Sequence, residues 1–306
     1  MSPHLGWNPA RDASQLLTYH FMLNALCAGT IVAVMAGVIG WWMVLRRQSF
    51  VGHTLAVVGF PGASGAVWLG LSATWGYFGF CVAAATVIAG LPGRPAMGGF
   101  SEESSVIGTV QALALASGFL FASLYGGFLN GTTALLFGSF LGVTNGQVWA
   151  LLAVAVAALG ALVAIGRPLL FASVDPYVAE ARGVPVRALS FAFVILLGLA
   201  AAEASQITGT LLVFALLVMP AAAAQQLTVR LARSLWLSVV IAVLVTWLGL
   251  GVAYFSKYPA GFYITTFGFA AYLLAAASRM IAARSGRWGN VMPRTAASLP
   301  TAASRP

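Results

Sequence analysis

Few side chains in this sequence can do chemistry, and their identities narrow what chemistry is open. The histidines are His4, His20 and His53, and the acids are Asp12, Glu102, Glu103, Asp175, Glu180 and Glu203. His53 stands in MVLRRQSFVGHTLAVVGFPG, residues 43–62, six positions past the arginine pair Arg46–Arg47. A neutral imidazole is a good ligand for zinc, copper or nickel, and an ionisable group at the mouth of an apolar span is a functional candidate by default. The structural alternative is a histidine hydrogen-bonded to backbone or to Thr54; the residues themselves leave both open. No nucleophile–base pair or metal triad emerges, so an enzyme is not expected. A phosphate-cradling loop of the G-x-x-x-x-G-K-[ST] type needs a lysine. The only one is Lys257, in FSKYPAG, so ATP is not bound in that way. Cys27 and Cys81 lie in apolar runs without ligand spacing, which implies neither a zinc cluster nor a disulfide framework.

The elements that must position these residues are membrane spans. The 306 residues are 60% hydrophobic and 7% charged, against about a quarter charged in a soluble domain. Apolar runs near 20 residues recur, the length that crosses a bilayer core. They predict an all-α polytopic membrane protein with spans at 19–45, 53–71, 74–91, 106–125, 147–166, 188–203, 207–227, 234–255 and 259–281. That gives about nine transmembrane helices, or eight if one falls short. The stretch GTTALLFGSFLGVTNG, 131–146, is too short to cross with its flanks and reads as a short re-entrant segment.

Basic residues set the orientation. With the N-terminus outside, the inner side receives Arg46, Arg47, Arg94, Arg167, Arg182, Arg187, Arg230, Arg233, Arg279, Arg284, Arg287, Arg294 and Arg305. That is 13 of the 15 basic residues, leaving Arg11 and Lys257 outside, so the positive-inside rule predicts N-out/C-in. The net charge of +9 lies between spans, where it reports topology rather than nucleic-acid binding. Residues 1–18 form an extracytoplasmic segment without the basic region and cleavage site of a signal peptide. Residues 19–283 form the transmembrane domain, and 284–306 a disordered, basic cytoplasmic tail rich in Ser, Ala and Pro.

On this layout all six acids fall near span ends or in loops, whereas a self-contained proton-coupled carrier places acids or histidines mid-membrane. Glu203, in AAEASQITG, is expected at the outer end of the sixth span, attracting a cation or simply solvated. His20 is expected to pack at the interface beside Tyr19. Trp41, Trp42, Trp75, Tyr77, Tyr254 and Tyr258 read as interfacial aromatic belts. Gly62, Ala66 and Gly70, and Gly138, Gly142 and Gly146, recur every four residues, a spacing that lets helices approach closely.

The inner loop FASVDPYVAEARGVPVRAL writes a short helix. Asp175 is a good N-cap, Pro176 suits the first helical position, and Gly183 then Pro185 end it, predicting a helix at 176–182. Glu180 lies inside it, with Arg182 and Arg187 flanking. A short rigid helix between spans suits docking into another protein's groove or lying at the headgroups, and the pattern alone does not choose.

Three ordered motifs carry a resemblance. Leu45-Arg46-Arg47-Gln48-Ser49-Phe50-Val51-Gly52, followed by Pro61-Gly62, matches a pattern of approximately L-R-R-x-S-F-x-G-D-A-L-S-H-A-x-x-x-P-G. Asp175-Pro176, Ala179, Ala181-Arg182-Gly183-Val184 form the second, and ITGTLLVFALLVMPAAAAQQL, 207–227, the third. The chain resembles, from about residue 19 to 281, the permease subunits of bacterial ABC importers for zinc and manganese. The resemblance implies a permease domain in the bacterial plasma membrane, working with a second permease copy or homologue. It also implies cytoplasmic ATPase subunits docked at about 175–183, through Asp175, Pro176, Glu180, Arg182 and Gly183, and an extracytoplasmic solute-binding protein. ATP hydrolysis belongs to the partner, and the metal is cargo rather than a stably bound cofactor.

The pattern departs at its metal contacts. The family's Asp is His53 here, and its His, four residues on and on the same helical face, is Val57. The expectation is a divalent transition metal with zinc first, because manganese favours oxygen ligands, with His53 as metal contact and Glu203 as a secondary pathway residue. An ABC permease for a metal chelate is the alternative within the same architecture. A self-contained secondary carrier or channel is the alternative outside it.

Overall fold

A computed structural model describes residues 19–90, 102–125, 136, 138, 142–210, 213–256 and 258–284, and its regular elements are all helices. In chain order they are α1 His20–Leu45, α2 Ser49–Trp68, α3 Ala73–Gly90, α4 Glu102–Leu124, α5 Asn145–Val174, α6 Pro176–Ala181, α7 Val186–Thr208, α8 Val213–Leu227, α9 Leu231–Tyr254 and α10 Ala260–Arg284. All but α6 and α8 are long and apolar enough to cross a membrane, which makes 8 spans among the described residues. The expected N-terminal segment 1–18, the tail beyond Arg284, Arg94, Lys257 and most of the 131–146 segment lie outside the described residues.

Several predicted boundaries move, the fifth span furthest, expected at 147–166 and found as Asn145–Val174; two other moves bear on candidate site residues. The sixth span was expected to end at Glu203, but α7 runs on to Thr208 and stops where Gly209 takes φ +75°, a left-handed conformation that suits glycine. Glu203 is therefore inside a helix rather than at its end. The apolar run 207–227 is split by that stop, and its helical remainder α8 has only 15 residues. The second span was expected from residue 53, but α2 starts at Ser49, which places His53 within the helix. One apolar stretch can hide a break, and one charged residue does not make one.

The helices are enclosed to very different degrees. In α2, 83% of the apolar window is buried, in α7 72% and in α1 56%, against 33% or less in α3, α4, α5, α9 and α10. The bundle is accordingly built around α1, α2 and α7. One side packs α3 and α4 on α2, with α7 alongside α3; the other packs α8, α9 and α10 together, with α8 and α9 on α1. Most of the largest fully buried side chains, Phe60, Phe193, Met35, Ile39 and Leu55 among them, lie on these three central helices, with Leu169 on α5, Leu216 and Leu217 on α8 and Leu250 on α9. Aromatics divide accordingly. Trp75 and Tyr258 are exposed as a belt requires, but Trp41, Trp42 and Tyr77 are buried. Trp41 Nε1 donates to Ser234 Oγ of α9 at 2.9 Å, which satisfies the indole inside the bundle.

Small residues let the central helices touch. A Cβ at Gly62 would collide with the Gly76 carbonyl, and one at Gly76 with the Gly62 carbonyl, so α2 and α3 cross with backbones in contact. Gly70 instead ends α2's turn at φ +75° with open space beside it, and Gly142 is also unobstructed, so only part of each predicted glycine row is a packing surface. Replacing Gly62 by Val is expected to destabilise the purified protein by about 1–3 kcal/mol or abolish folding. Gly79→Ala, where nothing lies within 4 Å, is expected to stay within about 0.5 kcal/mol of the parent; thermal melting in detergent compares the two.

Candidate functional site

The site begins at the elbow between α1 and α2. Arg46 caps α1, and Arg47 takes φ +57°, rare for a side chain of its size, reversing the chain within three residues. The amide of Gln48 donates to the Met43 carbonyl at 2.9 Å, closing the turn. α2 then rises directly into the enclosed centre, carrying His53 in its second turn.

His53 is half-buried and held by α4 and α8. Its Nε2 lies 3.2 Å from Gln111 Nε2 of α4. The Gln111 Oε1 accepts from the Thr54 hydroxyl at 3.3 Å, which turns the amide nitrogen toward the imidazole. In that arrangement Nε2 accepts and the ring proton resides on Nδ1. His53 Nδ1 is buried with no partner, and Phe214 of α8 meets the ring edge-on at 5.0 Å. The Thr54 contact expected of a structural histidine is made only through Gln111. A cation approaching Nε2 competes with one neutral amide, a weak competitor suited to transient binding.

Val57, one turn further along α2, brings no ligating side chain. Pro61, however, lies inside α2 and has no N–H for the Val57 carbonyl, which thereby lacks its usual helical donor. An oxygen thus takes the place where the side chain offers none.

Glu203 corrects the expectation of a solvated helix end. It is 0% exposed, and neither carboxylate oxygen has a hydrogen-bond partner. His20, by contrast, opens α1 on the surface, beside Tyr19, whose ring packs on Phe21 and Tyr254. Among the described residues no group of three or more His, Cys, Asp and Glu could hold a metal ion. His53 and Glu203 thus belong to no preformed cage of three such ligands among the described residues.

The predicted cytoplasmic helix is present as α6. Asp175 Oδ1 accepts from the Val178 amide at 3.0 Å, Pro176 occupies the first turn, and Gly183 ends the element at φ +79°. Ala179 is 0% exposed and anchors the helix, while Tyr177 is 57% exposed. Val178, Glu180 and Arg182 are also exposed. The outcome is a rigid, projecting face with apolar, acidic and basic groups.

Residues 18–279 match the ABC 3 transport family along most of the chain. The chain belongs to the ABC 3 transport family. It is 31% identical to the manganese transport system membrane protein MntC of Halalkalibacterium halodurans over 230 residues, 75% of this chain and 77% of that one. It is 30% identical over 246 residues to the manganese import system permease protein ScaB of Streptococcus parasanguinis, covering 78% and 84%. Among solved structures, PsaBC from Streptococcus pneumoniae in complex with Fab aligns at TM-score 0.78 and 27% identity, over 90% of this chain and 99% of that chain. A metal-chelate type ABC transporter in an inward-facing conformation shares the fold, at TM-score 0.65 and 16% identity over 90% of each.

In this ABC 3 chain, one contact that the motifs did not reveal ties the flanks of α6 to the elbow. Arg46 Nη1 donates to Ser173 Oγ at 2.7 Å and Nη2 to Ser190 Oγ at 2.8 Å, with the guanidinium 5.3 Å from the Phe193 ring centre. Ser173 ends α5 and Ser190 begins α7, the two elements flanking α6. Among the described residues no acid pairs with Arg46. The C-termini of α1 and α5, both negative ends of helix dipoles, converge on it instead. Burial pulls the Arg46 guanidinium down to about 10, which leaves it charged at neutral pH. Gln111 was equally unmarked, although it is the one amide in the apolar run 106–125. Arg46→Met is expected to lower stability by about 2 kcal/mol. Arg46→Lys should recover less than half of the loss, because an ammonium does not fork to both serines; detergent melting curves of the two variants check this.

Proposed function

We propose that this chain is the membrane-spanning permease of an ABC importer for a divalent transition metal, and that the metal is manganese. The observation that carries the reading is α6, a capped and projecting helix whose flanks are bonded through Arg46 to the elbow that launches α2 and His53. Such an arrangement suits a chain moved by something docked outside it. ATP hydrolysis is placed in cytoplasmic ATPase subunits that seat on Tyr177, Val178, Glu180 and Arg182. An extracytoplasmic solute-binding protein delivers the metal, and a second permease copy or homologue completes the pathway in the plasma membrane. The sidedness is N-out/C-in, supported by the arginines at the inner loops; it requires an odd number of crossings, with the short α8 and the break before it making the ninth.

His53 serves as a transient metal contact, one from each copy where two copies meet. A full tetrahedral shell would hold an ion too tightly for transport, whereas one imidazole and a carbonyl without its usual helical donor release it. The relatives' names support manganese over the zinc-first expectation, which rested on losing a carboxylate at position 53. That loss weighs less now that a buried carboxylate, Glu203, lies in the same bundle. The specific observation favouring zinc is the imidazole itself, a ligand of intermediate softness. His53→Ala is expected to cut manganese uptake at limiting metal at least fivefold in cells carrying the complete transporter, with assembly intact; unchanged uptake would relegate His53 to packing against Phe214. Asp175→Arg with Gly183→Val should abolish copurification of the ATPase and uptake together. Retained ATPase binding in that variant would sink the docking assignment.

A further inference from the structure

Glu203 is the one acid buried among the described side chains. An ionised carboxylate removed from water without a partner costs several kcal/mol, and a native fold avoids that cost by neutralising the group or supplying a cation. Neither Oε1 nor Oε2 of Glu203 has a partner in the bundle. Gln206, one turn further on the same face of α7, has a buried Nε2 that is likewise unpartnered, while its Oε1 accepts from the Thr74 hydroxyl of α3 at 3.2 Å. Thr210, just past the helix stop, also has a buried hydroxyl without a partner. Three polar groups within eight residues of one chain segment are thus left open, the one such group that includes a carboxylate among the described side chains.

The location bears on transport. A Cβ on Gly59 of α2 would lie 3.3 Å from both the Ser205 hydroxyl and the Thr210 methyl. The α7 stop therefore sits against α2 six residues beyond His53, about 9 Å along the helix axis, and Phe214 brings α8 back down to His53 itself. The stop is also where Gly209 packs on the Leu136 carbonyl and the Gly138 amide. A helix broken within the apolar depth of the bundle, with polar side chains at the break, is the construction that ion sites in membrane carriers use. The Glu203 carboxylate and the Thr210 hydroxyl offer hard oxygen atoms, suited to manganese or magnesium more than to copper or zinc, whereas the open Gln206 Nε2 is a donor and not a cation ligand.

We infer that Glu203 forms a second cation site in the bundle, on the α7 segment that leads to the Gly209 break, which takes a divalent hard metal ion through its carboxylate. The inference rests on the import reading above and adds a residue that the resemblance does not mark.

Glutamine has the shape of the protonated acid, so Glu203→Gln separates a cation ligand from a neutral packing group. The measurement uses the complete transporter, permease with its ATPase, purified and titrated with manganese by equilibrium dialysis, alongside manganese uptake in cells. Glu203→Gln is expected to lose one bound manganese per permease chain and to raise the half-saturating uptake concentration at least tenfold, whereas Glu203→Asp retains part of both. Equal binding and uptake in Glu203→Gln would overturn the inference and leave Glu203 as a protonated packing group, with the import reading standing. Absence of uptake of any metal by the parent would overturn both. If Glu203→Gln fails to assemble, labelling of Glu203 by a hydrophobic carbodiimide in the native complex decides: manganese should protect it at least fivefold, and unchanged labelling overturns the site.

Discussion

The guanidinium of Arg46 is held where three long helices meet, and the placement of the functional parts follows from that contact. It draws the end of α5 and the start of α7 onto the α1–α2 elbow through two serine hydroxyls, and stacks on Phe193. α6 is thereby carried on a fixed base, not on a free loop. The same contact fixes the starting point of α2, so that His53 enters the bundle at a set depth and orientation. A charge without an acid partner is tolerated there because two helix C-termini and two hydroxyls face it. The contact defines the geometry between α6 and α2.

Enclosure of α2 is the second constraint. Because its backbone meets α3 through Gly62 and Gly76, α2 has little freedom to tilt alone, and motion imposed at the elbow is transmitted along the helix. Pro61 loosens it at one place, removing a backbone bond at Val57. The path thus combines a rigid lower segment bearing His53 with a polar break at Gly209 alongside its upper part.

Much of this was legible in the residues. The apolar runs gave the spans, Asp175, Pro176 and Gly183 wrote α6 almost to the residue, and the Leu45–Gly52 motif marked the elbow. What was hidden was mostly long-range. Nothing local to Arg46 names Ser173 or Ser190, 127 and 144 positions away, and Gln111 is 58 positions from His53. Glu203 was misjudged because a charged residue next to small ones looks like a helix end. In the fold, tertiary packing carries the helix past it to Gly209, where backbone conformation and not polarity stops it. Trp41 and Tyr77 were misplaced for a related reason: an aromatic near the end of a span serves an interface or the interior depending on which neighbours cover it.

The central claim is that the chain moves a divalent metal, manganese, into the cell. The most direct test is the total cellular content of manganese, zinc, iron, copper and nickel in metal-limited cells with and without this chain. A manganese deficit in its absence, restored by supplying the chain, is the predicted result. Unchanged content of every metal would contradict the account, and a deficit confined to zinc would contradict the choice of manganese.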